Sequence, residues 1–188
     1  MKLTNGKIEF SGVLKLTYEE EVSQIILANY APGTQEAEEL MKNLVMLPSE
    51  NIHITLCHQA VLANVREALQ HADFSKFTPP DIELEDVVRV VEEVDGDKRS
   101  AFIRVQDKYF ESLKGITNAV LAEYGVQPYL YVREFEREHH ISIANKTGRP
   151  YDSIAFTWRA DPKNAHLEWP HNIEPCDAVL DPHLSEAM

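Results

Sequence analysis

Apolar residues along this chain follow two periods. Alternation every second residue marks strands, and spacings of three and four mark helices. Lys7 to Leu16 alternates in part and is read as one strand. Thr17, with Glu20 three residues on, has the form of a capping box, and the helix behind it sets Val22, Ile25, Ile26 and Asn29 on one face. Pro32-Gly33 breaks that helix. Thr34 caps a second one, striped by Leu40, Met41, Leu44 and Val45 and closed by Pro48. Leu62, Val65 and Leu69 predict a helix from Leu62 to Ala72, followed by a loop from Phe74 through Pro79-Pro80. Ile82 to Val94 is a β-branched run that reads as core. Asp95-Gly96-Asp97 is a hairpin signal, with a return strand from Ala101 to Val105. The clearest amphipathic helix spans Lys108 to Tyr124 on Phe110, Leu113, Ile116, Val120 and Leu121, and Gly125 ends it. Tyr129 to Val132 reads as a short aromatic extended segment.

Two further strands carry candidate chemistry. In Asn51-Ile52-His53-Ile54-Thr55-Leu56-Cys57 the strand period puts Ile52, Ile54 and Leu56 on one face and His53 and Thr55 on the other. The pattern returns 87 residues later, with Ile141 and Ile143 apolar and His140 and Ser142 polar. Each motif strand comes late in a similar series of strands and helices. That order suggests two related α+β lobes with a cleft between them. Residues 1–160 are read as this single two-lobed domain. Residues 161–188, rich in Pro, His and acidic side chains, are read as an irregular C-terminal tail.

Charge narrows the partners. The chain has 188 residues and a net charge of −13. That balance disfavours a grip on long nucleic acid through its phosphates. It leaves room for a small nucleotide or short oligonucleotide in a locally basic pocket. No run of about 18 apolar residues is present, so no membrane span is expected. Met1 to Gly6 lacks a signal-peptide core. Two cysteines, Cys57 and Cys176, make no disulfide framework, and a cytoplasmic monomer is the simplest expectation.

The paired residues suit phosphodiester cleavage. A proton must leave the nucleophile and another must reach the departing oxygen. Histidine does either near neutral pH, because its ordinary pKa is about 6.5. Two histidines on opposite sides of one phosphorus do both, with no metal. Thr55 and Ser142 can donate hydrogen bonds to the non-bridging oxygens, where charge builds. Either histidine can serve as acid or as base, according to the direction of reaction.

Other residues invite competing readings. His58 and His139 are offset from the motifs by an odd number and should face away as structural residues unless the strand has ended before them. Cys57 shares the face of His53 and Thr55, with packing as its expected role. His53 with His58, and His166 with His171, are spaced as metal-binding pairs, but no Cys or Glu stands at a supporting spacing. Arg133, Arg137, Lys146 and Arg149 against Glu134, Glu136 and Glu138 form either a phosphate-friendly rim or a mixed solvated strand. Tyr129, Tyr131 and Tyr151 either stack on a base or pack. Tyr131, Arg137, Lys146 and Tyr151 are the substrate-binding candidates.

His53-Ile54-Thr55-Leu56 and His140-Ile141-Ser142-Ile143, with the lead-ins Pro48 to Ile52 and Glu134 to His139, resemble the signature of the 2H phosphoesterase superfamily. That superfamily includes 2′-5′ RNA ligase-like proteins and cyclic nucleotide phosphodiesterases. The resemblance covers Lys7 to Ala144, with Ser142 standing where Thr is commoner. It implies pseudo-duplicated antiparallel sheets with outer helices around a central cleft. It also implies metal- and cofactor-free catalysis by His53, Thr55, His140 and Ser142. The substrate class would be a 2′,3′-cyclic phosphate, a 2′-5′ linkage, or a cyclic or short oligonucleotide. One variant is an anti-defence enzyme that destroys nucleotide signals. Two rivals stand beside it: a non-catalytic module that sequesters a nucleotide, and a metal protein using the histidine pairs. Retention of both histidines and both hydroxyls speaks against the first rival, since binding alone needs no matched acid and base.

Overall fold

The computed structural model describes residues 1–58, 62–93, 96–125 and 139–154, together with the backbone of Ile173–Leu180. It is an α+β protein built on antiparallel sheets. The chain runs β1 (Lys2–Leu3), β2 (Lys7–Phe10), β3 (Leu14–Thr17), α1 (Glu20–Asn29), α2 (Gln35–Leu40), β4 (Val45–Met46) and β5 (Ile54–Cys57). It continues through α3 (Arg66–Gln70), β6 (Ile82–Glu83), β7 (Val88–Glu93), β8 (Arg99–Arg104), α4 (Phe110–Glu123), β9 (His140–Asn145) and β10 (Ile173–Leu180).

The main sheet has the strand order β10-β7-β8-β9-β5-β3-β2, with β4 also paired to β9. A separate two-stranded ribbon joins β1 to β6. The two motif strands, β5 and β9, lie side by side within the main sheet, where Ile54 pairs with Ile141. One face of this sheet is apolar. Leu14, Leu16, Ile54, Leu56, Ile141, Ile143 and Ile103 are all buried there, in one cluster with Ile26 of α1 and with Leu113, Val120 and Leu121 of α4. Each such aliphatic side chain contributes about 1.5–3 kcal/mol on burial. This face fixes the register: a slip of one residue would turn the polar residues inward.

Several elements differ from the sequence reading. The strand expected over Lys7 to Leu16 is a hairpin of β2 and β3, because Gly12 adopts a φ of 83° and turns the chain. Thr17 closes β3 and caps no helix; Glu19 holds the N-cap position of α1. Ile25 is exposed, and α1 buries Ser23 and Ile26 instead. Thr34 does cap α2, its hydroxyl accepting from the Ala37 N–H at 3.1 Å, but α2 stops at Leu40. The helix expected over Leu62 to Ala72 is a 3-10 turn followed by the short α3. The β-branched run divides, Ile82 pairing with β1 and Val88, Val90 and Val91 being buried in β7. The hairpin forms as expected, with Glu92 paired to Arg99.

The long helix is α4, ended by Gly125 at a φ of 73°. The expected segment Tyr129 to Val132 lies outside the described residues. The tail needs correction: Ile173–Leu180 is no irregular wrap but an edge strand on β7, with a register shift between Pro175 and Val179. Proline is tolerated at a sheet edge, and its presence, with weak alternation, hid the strand. No described helix is long and apolar enough to cross a membrane.

Candidate active site

The first motif owes its shape to a detour. Val45 and Met46 of β4 pair with Asn145 and Ala144 of β9, and the Leu47 N–H donates to the Ile143 carbonyl at 2.8 Å. Pro48 has no N–H to continue this ladder. The chain leaves through a 3-10 turn at Ser49–Asn51 and returns so that Ile54 meets Ile141. His53 therefore stands just ahead of β5, at the mouth of the turn. Its Nδ1 lies 2.8 Å from the Asn51 carbonyl oxygen. A carbonyl only accepts, so Nδ1 carries the proton and Nε2 presents its lone pair. Burial holds the His53 pKa below the ordinary histidine value; the Asn51 carbonyl opposes that shift, and the nearby charge of Lys15 adds to it. The ring is thus neutral at pH 7.

The second motif is set by β8 and β9. His140 pairs with Arg104 and Ser142 with Phe102, so these four side chains share a face. The Phe102 ring meets the His140 ring edge-on, with centroids 5.4 Å apart. Phe102 is itself packed with Val91 and Ile154 in a small second cluster. Arg104 forms ion pairs with Asp107 at 2.8 Å and Glu85 at 3.5 Å.

Flanking the buried Ile54–Ile141 couple, His53, Thr55, His140 and Ser142 are all half-buried on the opposite face. All four line one cavity of about 500 Å³. Its rim is a loop pegged to the sheet. The fully buried Asn145 donates from Nδ2 to the Arg149 carbonyl at 2.7 Å and to Ser153 Oγ at 2.9 Å. Its Oδ1 accepts from the N–H groups of Thr147 at 3.0 Å and Gly148 at 2.7 Å. Ser100, paired with Asn145 across the strands, accepts the Ile154 N–H at 3.0 Å. This network leaves Tyr151 on the cavity wall with 69 % of its surface exposed.

Among the substrate-binding candidates, Tyr151 lines the cavity. Lys146 does not: β9 ends at Asn145, and Lys146 turns outward into a separate groove with Lys42, Glu92 and Arg99. Tyr131 and Arg137 lie outside the described residues, as do Tyr129 and Arg133. His139 is buried on the other side of the sheet, tilted against Phe110 with ring centroids 5.6 Å apart, as a structural residue. Cys57 packs in the core.

For His58 the exception applies: β5 ends at Cys57, alternation stops applying, and His58 lines the cavity instead of facing away in a structural role. Lys15 and Lys98 were also missed, as were Ser11, Asn51 and Ser153. Lys15 becomes a site residue only because β3 pairs with β5, placing it beside Thr55. The one local sign was its polar position between the buried Leu14 and Leu16. Among the described residues, no three of His, Cys, Asp or Glu form a group that could hold a metal ion. Comparisons with protein-family models, with curated proteins and with solved structures found no match.

Proposed function

We propose that this protein is a metal-independent phosphodiesterase of the two-histidine type, acting on a small nucleotide or short oligonucleotide. In this reading the halves of the sheet that meet at β5 and β9 correspond to the two lobes of a 2H phosphoesterase. The observation that carries it is the convergence of both histidines and both hydroxyls on one cavity, opposite the Ile54–Ile141 pair. A structural role for one such motif would not require the other to face the same space.

His53 is the general base. Its neutral ring presents Nε2, the atom left free by the Nδ1–H bond to Asn51. It takes the proton from the attacking hydroxyl or water as the new P–O bond forms. His140, as general acid, gives a proton to the leaving oxygen as the old P–O bond breaks. Thr55 and Ser142 donate to the non-bridging oxygens as negative charge accumulates. The two histidines then exchange protons with solvent and return to their starting states.

A cleavage screen in EDTA tests this. It uses 2′,3′-cyclic mononucleotides, 2′-5′ and 3′-5′ dinucleotides, and cyclic di- and trinucleotides. The expected result is cleavage of one class, falling about 10²–10⁴-fold in His53→Ala and in His140→Ala. Tight binding without cleavage of any class would replace the enzyme with a sequestering module. Activity abolished by EDTA and restored by a divalent metal would overturn the metal-free mechanism.

A further inference from the structure

The cavity extends well past the histidines, and its charge is uneven. In a chain with 31 Asp and Glu against 18 Lys and Arg, no carboxylate lines it among the described residues, whereas two lysines do. Lys15 belongs to the catalytic end, paired across the strands with Thr55. Lys98 belongs to the other end. It lies six residues along the chain from Arg104, the partner of His140. At about 3.4 Å per residue its backbone sits roughly 15–20 Å along the sheet from that histidine, farther than a lysine side chain reaches. Yet Lys98 and His140 line the same cavity, so the cavity is elongated.

The far end is built rather than incidental. Lys98 is half-buried, and its Nζ donates to the Tyr151 carbonyl at 3.3 Å. It therefore sits against the loop that Asn145 and Ser100 hold in place. Among the described residues Lys98, like Lys2, Lys15, Lys114 and Lys146 and unlike Lys7, Lys42, Lys76 and Lys108, has no carboxylate within ion-pair distance; of the unpaired ones, Lys15 and Lys98 line the cavity. Two carboxylates near it are engaged elsewhere: Asp152 accepts from the Thr147 hydroxyl at 2.6 Å, and Glu93 accepts the Lys98 backbone N–H at 3.3 Å. An ammonium on a cavity wall where no described residue supplies a carboxylate suits an anion from outside, and the exposed Tyr151 ring beside it offers a face for a base.

We propose that the substrate carries a second phosphate beyond the scissile one. The scissile phosphorus sits between His53 and His140, and the second phosphate sits against Lys98 at the Tyr151 end. This inference rests on the phosphodiesterase reading and narrows it. Substrates of that class with a single phosphate are poor ligands, and 5′-phosphorylated or multiply linked nucleotides are good ones.

Matched pairs test it: adenosine 2′,3′-cyclic phosphate with and without a 5′-phosphate, and 2′-5′ and 3′-5′ adenylyl dinucleotides with and without a 5′-phosphate. The readout is the ratio of kcat/KM within each pair. Wild type should favour the phosphorylated member by about 10- to 100-fold, the worth of one hydrogen bond to a charged group. Lys98→Met should bring that ratio close to one, Lys98→Arg should restore most of it, and Lys114→Ala, on α4 and outside the cavity lining, should leave it as in wild type. If Lys98 only braces the loop, Lys98→Met lowers both members equally and keeps the ratio, which overturns the proposal. A wild-type ratio near one overturns it too, while leaving the phosphodiesterase reading intact. If no pair is cleaved, the phosphodiesterase reading is decided by the cyclic di- and trinucleotides of the cleavage screen. Calorimetric Kd values for the same pairs then decide the second phosphate, a preference that depends on Lys98 supporting it and equal Kd values overturning it.

Discussion

The two motifs look alike in sequence but occupy different surroundings. His53 stands outside its strand, at the end of a turn that supplies the Asn51 carbonyl to its Nδ1. His140 stands inside its strand, beside Arg104 and edge-on to Phe102. The first environment fixes one tautomer and, by burial, disfavours the charged ring. The second holds the ring against an aromatic edge, in a row that also contains an ion-paired guanidinium. A repeated motif thus yields two non-equivalent histidines, as a reaction needing one base and one acid requires.

The sharpest way to break this comparison is to remove each histidine in turn and follow pH. His53→Gln and His140→Gln should each lower kcat/KM by about 10²–10⁴-fold. If His53 is the base, its replacement abolishes the acidic limb of the profile, and His140→Gln abolishes the basic limb. Loss of the same limb in both variants would make the two sites equivalent. Next in size is the support behind them. Ile141→Ala should cost about 2–5 kcal/mol of stability, read by thermal or denaturant unfolding, because Ile141 is fully buried where the motif strands join. Thr55→Ala and Ser142→Ala should cost about 10- to 100-fold in kcat, less than either histidine.

The smallest effects concern the His53 pKa. Lys15→Gln removes one cause that lowers it, so the acidic limb should move up toward pH 6.5. Stability carries the same signature. Because the folded pKa is depressed, the His53 contribution is complete above about pH 6.5 and is lost as pH falls through the folded value. His53→Gln should flatten that part of the stability–pH curve, as measured by chemical denaturation at stepped pH.

Much of the local structure was legible. The alternation around Ile54 and Ile141 gave the correct faces, since a two-residue period leaves one choice once the apolar side is buried. Thr34, the hairpin signal between β7 and β8 and Gly125 were read from short-range chemistry: Thr34 caps α2, β7 and β8 pair, and Gly125 follows α4. What escaped depends on contacts distant in sequence. The pairing of β5 with β9 spans 87 residues and is written in no local period. Lys15 and Lys98 join the site only through neighbouring strands and a loop, and the basic residues close to the motif in sequence drew attention instead. The place of His58 turns on where β5 ends, which alternation alone does not fix: the strand stops at Cys57 and the side chain joins the cavity. Gly12 hid a turn inside a run that otherwise alternates well enough for one strand.

The central claim is that His53 and His140 work on one phosphorus from opposite sides. Single-turnover cleavage in EDTA, comparing wild type with the His53→Ala/His140→Ala double variant on the best substrate of the screen, tests it most directly. The account predicts metal-free turnover by wild type and a rate at the uncatalysed background for a folded double variant. Wild-type turnover that survives removal of both histidines would contradict it.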